Sequence, residues 1–218
     1  INAILRGYLR EADETKRALA ELKNSQPALG WSHPEWLVER WRQRFGEERT
    51  QRLLEWNNTP PKTFARVNTL RTDATKLVEA WRDENVEYDF VTRDWTGENL
   101  AFELKSHPLL TTLESFRQGW FYLQDPSTLL AVRELDPQPG ETILDLCAAP
   151  GGKTNFMAQL MNNEGRIVAH DLSSDRLKLI QENCTRLGVN CVEVTSTLNL
   201  RPSAFDRILV DAPCSNTG

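Results

Sequence analysis

Five side chains with chemistry in them fall in the second half of the sequence: Cys147, Lys153, Asp171, Asp211 and Cys214. The first two belong to Cys-Ala-Ala-Pro-Gly-Gly-Lys-Thr (147–154), which follows a short β-branched run, 142–146, suited to a buried strand. Pro150, Gly151 and Gly152 break the chain, and helical spacing resumes over 153–161. A strand, a glycine turn and a helix N-terminus together suit an anionic or nucleotide-like ligand. Free backbone N–H groups and the positive end of the helix dipole face the turn, and glycine permits close approach. Two glycines in a tight strand-to-helix turn are also an ordinary structural device, so the residues downstream must decide.

Three ligands compete for this turn. A dinucleotide fingerprint needs G-x-G-x-x-G, which 145–152 does not supply. A Walker loop needs G-x-x-x-x-G-K-[ST], and 147–154 matches it except for Cys147 in place of the first glycine. The run 207–211 even imitates the apolar strand and aspartate that hold magnesium. Against that reading, a Cβ at Cys147 obstructs the phosphate cradle and Pro150 removes an amide donor. The third ligand is a nucleoside cofactor without a polyphosphate. Asp171, ending the second strand, suits a ribose diol, although it could equally be a helix N-cap, a role Ser173 could fill instead. For S-adenosyl-L-methionine the turn would face the amino-acid tail, and Asp211 would lie near the methyl-transfer end. Asp-Ala-Pro-Cys-Ser (211–215) places the Cys214 thiol beside an acid at a strand end, where a loop can expose it. The plainer fate of such a cysteine is to be a small packed residue.

The elements that must position these groups alternate. Strands are expected at 142–146, 166–170, 191–194 and 207–210, with helices at 153–161 and 174–187, the second stopped by Gly188. That alternation implies a parallel sheet with ligands at the carboxyl ends of its strands. Upstream, 64–68, 87–91, 99–102 and 120–123 read as strands and 73–84 as a helix, followed by a helix over 128–135 entered through Pro126. Helices are also expected over 2–23, from an Ser32 N-cap to about 45, and over 47–57, with a linker at 24–30.

With 39% hydrophobic and 26% charged residues, the chain is expected to fold as a soluble protein, and no run is long enough to span a bilayer. The four cysteines show no zinc spacing, so no metal is expected and a reduced cytoplasmic setting is the simplest one. The net charge of −5 argues against a generic nucleic-acid binder. Residues 1–62 carry +2, however, against −3 over 63–123 and −4 over 124–218, so a polyanion should meet the N-terminal part first. Trp36, Trp41 and Trp56 stand there among Arg40, Arg42, Arg44, Arg49 and Arg52. The mixture suits RNA, or equally a tryptophan core beneath a solvated arginine face.

The two motifs, C-A-A-P-G-G-K-T and D-A-P-C-S, together resemble the RNA cytosine-C5 methyltransferase family. S-H-P-E-W-L at 32–37, R-V-N-T at 66–69 and G-W-F-Y-L-Q-D-P-S at 119–127 resemble its bacterial 16S ribosomal RNA branch, the Sun or Fmu proteins. N-A-I-L-R at 2–6 resembles the end of that branch's NusB-like N-terminal domain. The resemblance implies an α/β fold: an incomplete Rossmann-like methyltransferase sheet (119–218), preceded by an α+β RNA-binding subdomain (31–118) and a helical remnant with linker (1–30). It implies methylation of carbon 5 of a cytosine in 16S ribosomal RNA through a covalent cysteine adduct. Cys147, Ala148, Ala149, Pro150, Gly151, Gly152, Lys153, Asp171 and Asp211 would hold S-adenosyl-L-methionine. Asp211 would lie between cofactor and base, and Cys214 would be the helper cysteine that assists product release. The turn 124–127 would border the methionine end of the cofactor. Arg40, Arg44, Arg66 and Asn68 are the candidate RNA contacts.

Two departures from the family pattern carry expectations. Its attacking cysteine lies in a Thr-Cys pair downstream of 211–215, and no such pair occurs here; the chain is therefore expected to be a fragment that does not methylate RNA alone. Its acid after the third strand is replaced by Thr195, Ser196 and Thr197, which accept hydrogen bonds more weakly. The other expectations weighed are a catalytically incomplete RNA-binding module and a P-loop-type ATPase.

Overall fold

The computed structural model describes residues 2–197 and 204–212, and contacts part the chain after Pro61. The first unit is helical: α1 (Asn2–Arg10), α2 (Ala12–Ser25), α3 (Pro27–Gly30), α4 (Glu35–Phe45) and α5 (Glu47–Asn57). Its core is Leu37, Val38, Trp41 and Leu54, with Ala28, Trp31 and Leu53 against them. The single helix expected over 2–23 is two, broken at Glu11, whose ψ of 21° leaves the helical region. The expected linker holds α3, begun by Pro27 in its first turn and seated where a Cβ on Gly30 would lie 2.4 Å from the Lys23 nitrogen. Ser32 is not the cap of α4. Pro34 holds that position in extended backbone, and a residue before proline is pushed out of the helical region, so the helix cannot begin earlier. The tryptophans divide between the two readings offered for them: Trp41 is buried, whereas Trp36 and Trp56 are exposed.

The second unit contains two four-stranded sheets. The first has the order β2-β3-β1-β4, all antiparallel, from β1 (Thr63–Val67), β2 (Glu87–Val91), β3 (Ala101–Ser106) and β4 (Phe121–Leu123). Helix α6 (Ala74–Asp83) is capped by the Asp73 carboxylate, which accepts from the Lys76 amide at 2.9 Å. It buries Leu77 and Trp81. The Trp81 ring meets Phe102 and Phe121 edge-on at 5.3 Å, contacts worth about 0.5–1.5 kcal/mol each beyond their burial. A short helix α7 (Glu114–Arg117) leads into β4. Residues 121–123, expected to lie in a Rossmann-like domain opening at 119, instead form an edge strand of this small sheet, where Phe121 pairs with Val67.

The second sheet is parallel, in the order β7-β6-β5-β8, from β5 (Thr142–Asp145), β6 (Arg166–His170), β7 (Val192–Thr195) and β8 (Arg207–Leu209). The chain runs outward from β5 through β6 to β7, then returns to add β8 on the other side of β5. Strand order therefore reverses at β5, the place where open α/β sheets form a crevice for ligands. Its helices are α8 (Ser127–Leu135), α9 (Gly152–Leu160) and α10 (Ser174–Leu187). Both sheets contribute to one core that includes Trp81, Phe102, Phe121, Ile143, Phe156, Met157 and Ile167. Among the described residues, no helix is long and apolar enough to cross a membrane.

Candidate functional site

Strand β5 ends in Asp145, a buried carboxylate, and the chain turns through 146–151 into α9. The turn is tied to β6 by the Ala148 amide, which donates to the His170 carbonyl at 2.8 Å, and is closed by the Gly151 amide on the Ala148 carbonyl at 2.7 Å. Gly151 has a φ of +99°, which disfavours any side chain, and Asn155 donates to its carbonyl from both backbone (2.8 Å) and side chain (2.7 Å). Since Asn155 makes the first backbone bond of α9, the amides of Gly152, Lys153 and Thr154 precede its ladder at the positive end of the dipole.

Two polar pairs organise what faces the turn. The Lys153 ammonium donates to Asp211 Oδ2 at 2.6 Å, joining α9 to the segment after β8. The Thr154 hydroxyl donates to Asp145 Oδ2 at 2.7 Å, and Asp145 Oδ1 is buried with no partner among the described residues. Burial pushes the Asp145 carboxyl up to about 6, against the opposing hydrogen bond from Thr154.

A cleft of about 240 Å³ opens here. Cys147, Ala148, Ala149, Pro150, Gly152, Lys153 and Asp211 line it together with Asp145, as do Tyr122, Leu123, Gln124, Asp125 and Thr128. Gly151 shapes the turn without lining the cleft. Asp171 also lies off this lining: it is buried at the end of β6, accepts from the Ser173 amide at 3.1 Å and has Arg176 Nη1 3.5 Å away. The cap of α10 is Ser173, not Asp171. Cys214 falls outside the described residues. At the end of β7 the Thr195 hydroxyl accepts from the Thr197 amide at 3.1 Å and donates to its carbonyl at 2.9 Å, so it is used locally.

Two of the four candidate RNA contacts are corrected by their surroundings. Arg66 is 1% exposed and points inward from β1 to Gln124 and Gln159, with its guanidinium over the Phe156 ring. Asn68 is equally buried, donating to the carbonyls of Gly119 (2.7 Å) and Leu187 (2.8 Å), which fastens β1 to the turn before β4 and to the end of α10. Neither can reach a phosphate or a base. Arg40 and Arg44 are exposed on α4. The sequence also left Asp145, Tyr122 and Thr128 out of the binding set; a carboxylate closing strand β5 was the available signal for the first.

The residues suit a cationic nucleoside better than a triphosphate. Asp125, Asp145 and Asp211 line the cleft against one cation, Lys153, which is itself paired with Asp211, so a polyphosphate would face a net negative lining, whereas a sulfonium or ammonium group would be favoured by it. The Walker analogy also fails at Thr154: its hydroxyl, required there for a metal-bound phosphate, is fully buried and committed to Asp145. A Cβ on Gly152 would stand 3.1 Å from Tyr122 Cε1 and 3.4 Å from Gln124 Nε2, so this glycine keeps the cleft open.

The family described as 16S rRNA methyltransferase RsmB/F matches residues 132–218, and the Methyltr_RsmF/B-like, ferredoxin-like domain matches residues 33–94. The "Probable ribosomal RNA small subunit methyltransferase B" of Bacillus subtilis (strain 168) is 36% identical over 225 residues, covering 100% of this chain and 49% of that protein. The 28S rRNA (cytosine(4447)-C(5))-methyltransferase of Homo sapiens is 36% identical, over 97% of this chain and 26% of that protein. The chain thus spans about half the length of the bacterial relative and about a quarter of the human one. A crystal structure of a methyltransferase homolog protein from Pyrococcus horikoshii superposes with a TM-score of 0.74 at 35% identity, covering 86% of this chain and 62% of that one. The parallel sheet, its strand-order reversal and these likenesses lead to one conclusion: the fold is the Rossmann-like α/β fold of methyltransferases, and S-adenosyl-L-methionine is the cofactor.

Proposed function

We propose that this chain belongs to the RsmB/F family and is the cofactor-holding part of an RNA cytosine-C5 methyltransferase acting on 16S ribosomal RNA in the cytoplasm. The observation that carries the reading is the Lys153–Asp211 pair, closed at 2.6 Å beside the glycine turn where strand order reverses. When bound, S-adenosyl-L-methionine supplies an electrophilic methyl group. The amides at the start of α9 and the Gly152 opening receive its amino-acid end, and the carboxylates of Asp145 and Asp211 favour its positive charge. In this reading Asp171 serves the ribose.

Carbon 5 of cytosine is a poor nucleophile, and addition of a cysteine thiolate to carbon 6 activates it while dividing one barrier into two. The reading gives that attack to a thiolate in a Thr-Cys pair and gives Cys214 the release of product. Asp211, an acceptor held in place by Lys153, can take a hydrogen bond from the exocyclic amino group of cytosine, which uracil lacks. Arg40 and Arg44, exposed on α4, supply phosphate contacts.

The test is transfer from methyl-labelled S-adenosyl-L-methionine to unmodified small-subunit ribosomal RNA, by the longest natural protein carrying this sequence. Label at carbon 5 of a cytosine, dependent on a Thr-Cys thiolate and lost on Asp211→Asn, is the expected result. Label on any other atom, or transfer indifferent to both changes, would refute it.

A further inference from the structure

Arg66 is a charged side chain as deeply buried as Asp145, each 1% exposed, and the cofactor reading does not use it. Its Nε donates to Gln124 Oε1 at 2.9 Å and its Nη1 to Gln159 Oε1. Gln159 is itself fixed, because its Nε2 donates to the Val67 carbonyl at 3.0 Å. The guanidinium carbon stands 4.7 Å from the centre of the Phe156 ring, so the head group is clamped on its face as well as its edge. Burial lowers the Arg66 pKa to about 9, which leaves it charged at neutral pH.

An arginine has donors and no acceptor. Of the two ends of the Gln124 carboxamide, only the oxygen can therefore face it. The nitrogen is left facing the glycine turn, 3.4 Å from the position of a Cβ on Gly152, and Gln124 lines the cleft. No described residue accepts from that nitrogen.

We propose that Arg66 is a positioning residue: by holding Gln124 oxygen-inward, it presents the Gln124 NH2 group to a carboxylate bound in the cleft. This rests on the cofactor reading above and assigns the cofactor's amino-acid carboxylate to Gln124. Gln124→Glu separates the role from simple packing, because it keeps shape and gives Arg66 a charged partner while turning an acceptor toward the cleft.

The experiment titrates the full-length protein, wild type, Gln124→Glu and Arg66→Lys, with S-adenosyl-L-homocysteine and with 5′-methylthioadenosine, which has no carboxylate. Thermal unfolding is read alongside. Gln124→Glu is expected to melt no lower than wild type, to bind S-adenosyl-L-homocysteine about tenfold more weakly and to bind 5′-methylthioadenosine unchanged. Arg66→Lys should weaken the first ligand more than the second. Equal losses for both ligands, or undiminished binding of S-adenosyl-L-homocysteine by Gln124→Glu, would overturn the assignment while leaving the cofactor reading intact. Failure of the wild type to bind either ligand would overturn both.

Discussion

The Lys153 ammonium and the Asp211 carboxylate, 58 positions apart, meet at 2.6 Å and close one end of the cleft. The lysine is largely covered and the aspartate more than half exposed, so water screens the pair and its worth to stability is about 1 kcal/mol or less. Lys153→Met should accordingly leave the melting temperature nearly unchanged while lowering kcat/KM for methyl transfer by at least about tenfold, since Asp211 loses the partner that orients it. Unfolding curves beside steady-state kinetics check both halves. A large fall in melting temperature would show the pair to be structural.

Asp145 carries a pH dependence of stability with the reverse of the usual carboxylate sign. Its folded pKa is raised to about 6 from an unfolded value of 3.8 by burial. Between those values the folded state holds the proton more tightly than the unfolded chain, so stability falls as pH rises from about 4 to about 6 and then levels. The span corresponds to about 3 kcal/mol. Asp145→Asn keeps an acceptor for Thr154 and removes the titration. Denaturant titrations at pH 4, 5, 6 and 7 should show this group's slope in the wild type and its loss in the variant.

Asn68 joins the end of β1 to the turn before β4 and to the end of α10 through carbonyls 51 and 119 positions away. Asn68→Ala would leave the Gly119 and Leu187 carbonyls without that donor in a buried seam, at a cost of about 2–4 kcal/mol. Chemical unfolding should show a lower midpoint with an unaltered slope. RNA affinity, corrected for the folded fraction, should be unchanged, because the side chain never reaches the surface.

Arg40 and Arg44 lie exposed on α4, which makes them the surviving candidates for phosphate contact. Replacing both with glutamine should weaken RNA binding and lower the dependence of log affinity on log salt by about 2, with little change in melting temperature. Filter binding across a salt series reads the slope. An unchanged slope would remove α4 from the RNA path.

Local structure followed local chemistry where caps and stops sat beside a strong pattern. Strand Arg166–His170 and helix Ser174–Leu187 have the expected limits, the helix because Ser173 caps it and Gly188 ends it in left-handed backbone. The glycine turn was legible for the same reason: a β-branched run, a break and a resumed helical period are adjacent in the chain. Where the signals conflicted, the limits moved. The strand expected over 99–102 is Ala101–Ser106, set by its two neighbours in the sheet rather than by its own pattern.

The sequence by itself determined the turn, its flanking strand and helix, and the kind of ligand such a turn admits, because each depends on residues within a few positions of one another. Only the tertiary structure decided that β4 joins the small sheet, that Lys153 meets Asp211, and that Arg66 and Asn68 are interior clamps. An arginine destined for the core and one destined for a phosphate have the same side chain. What separates them here is the arrival of Gln124 and Gln159 from 58 and 93 positions away, and those encounters arise only when the chain closes over its shared core.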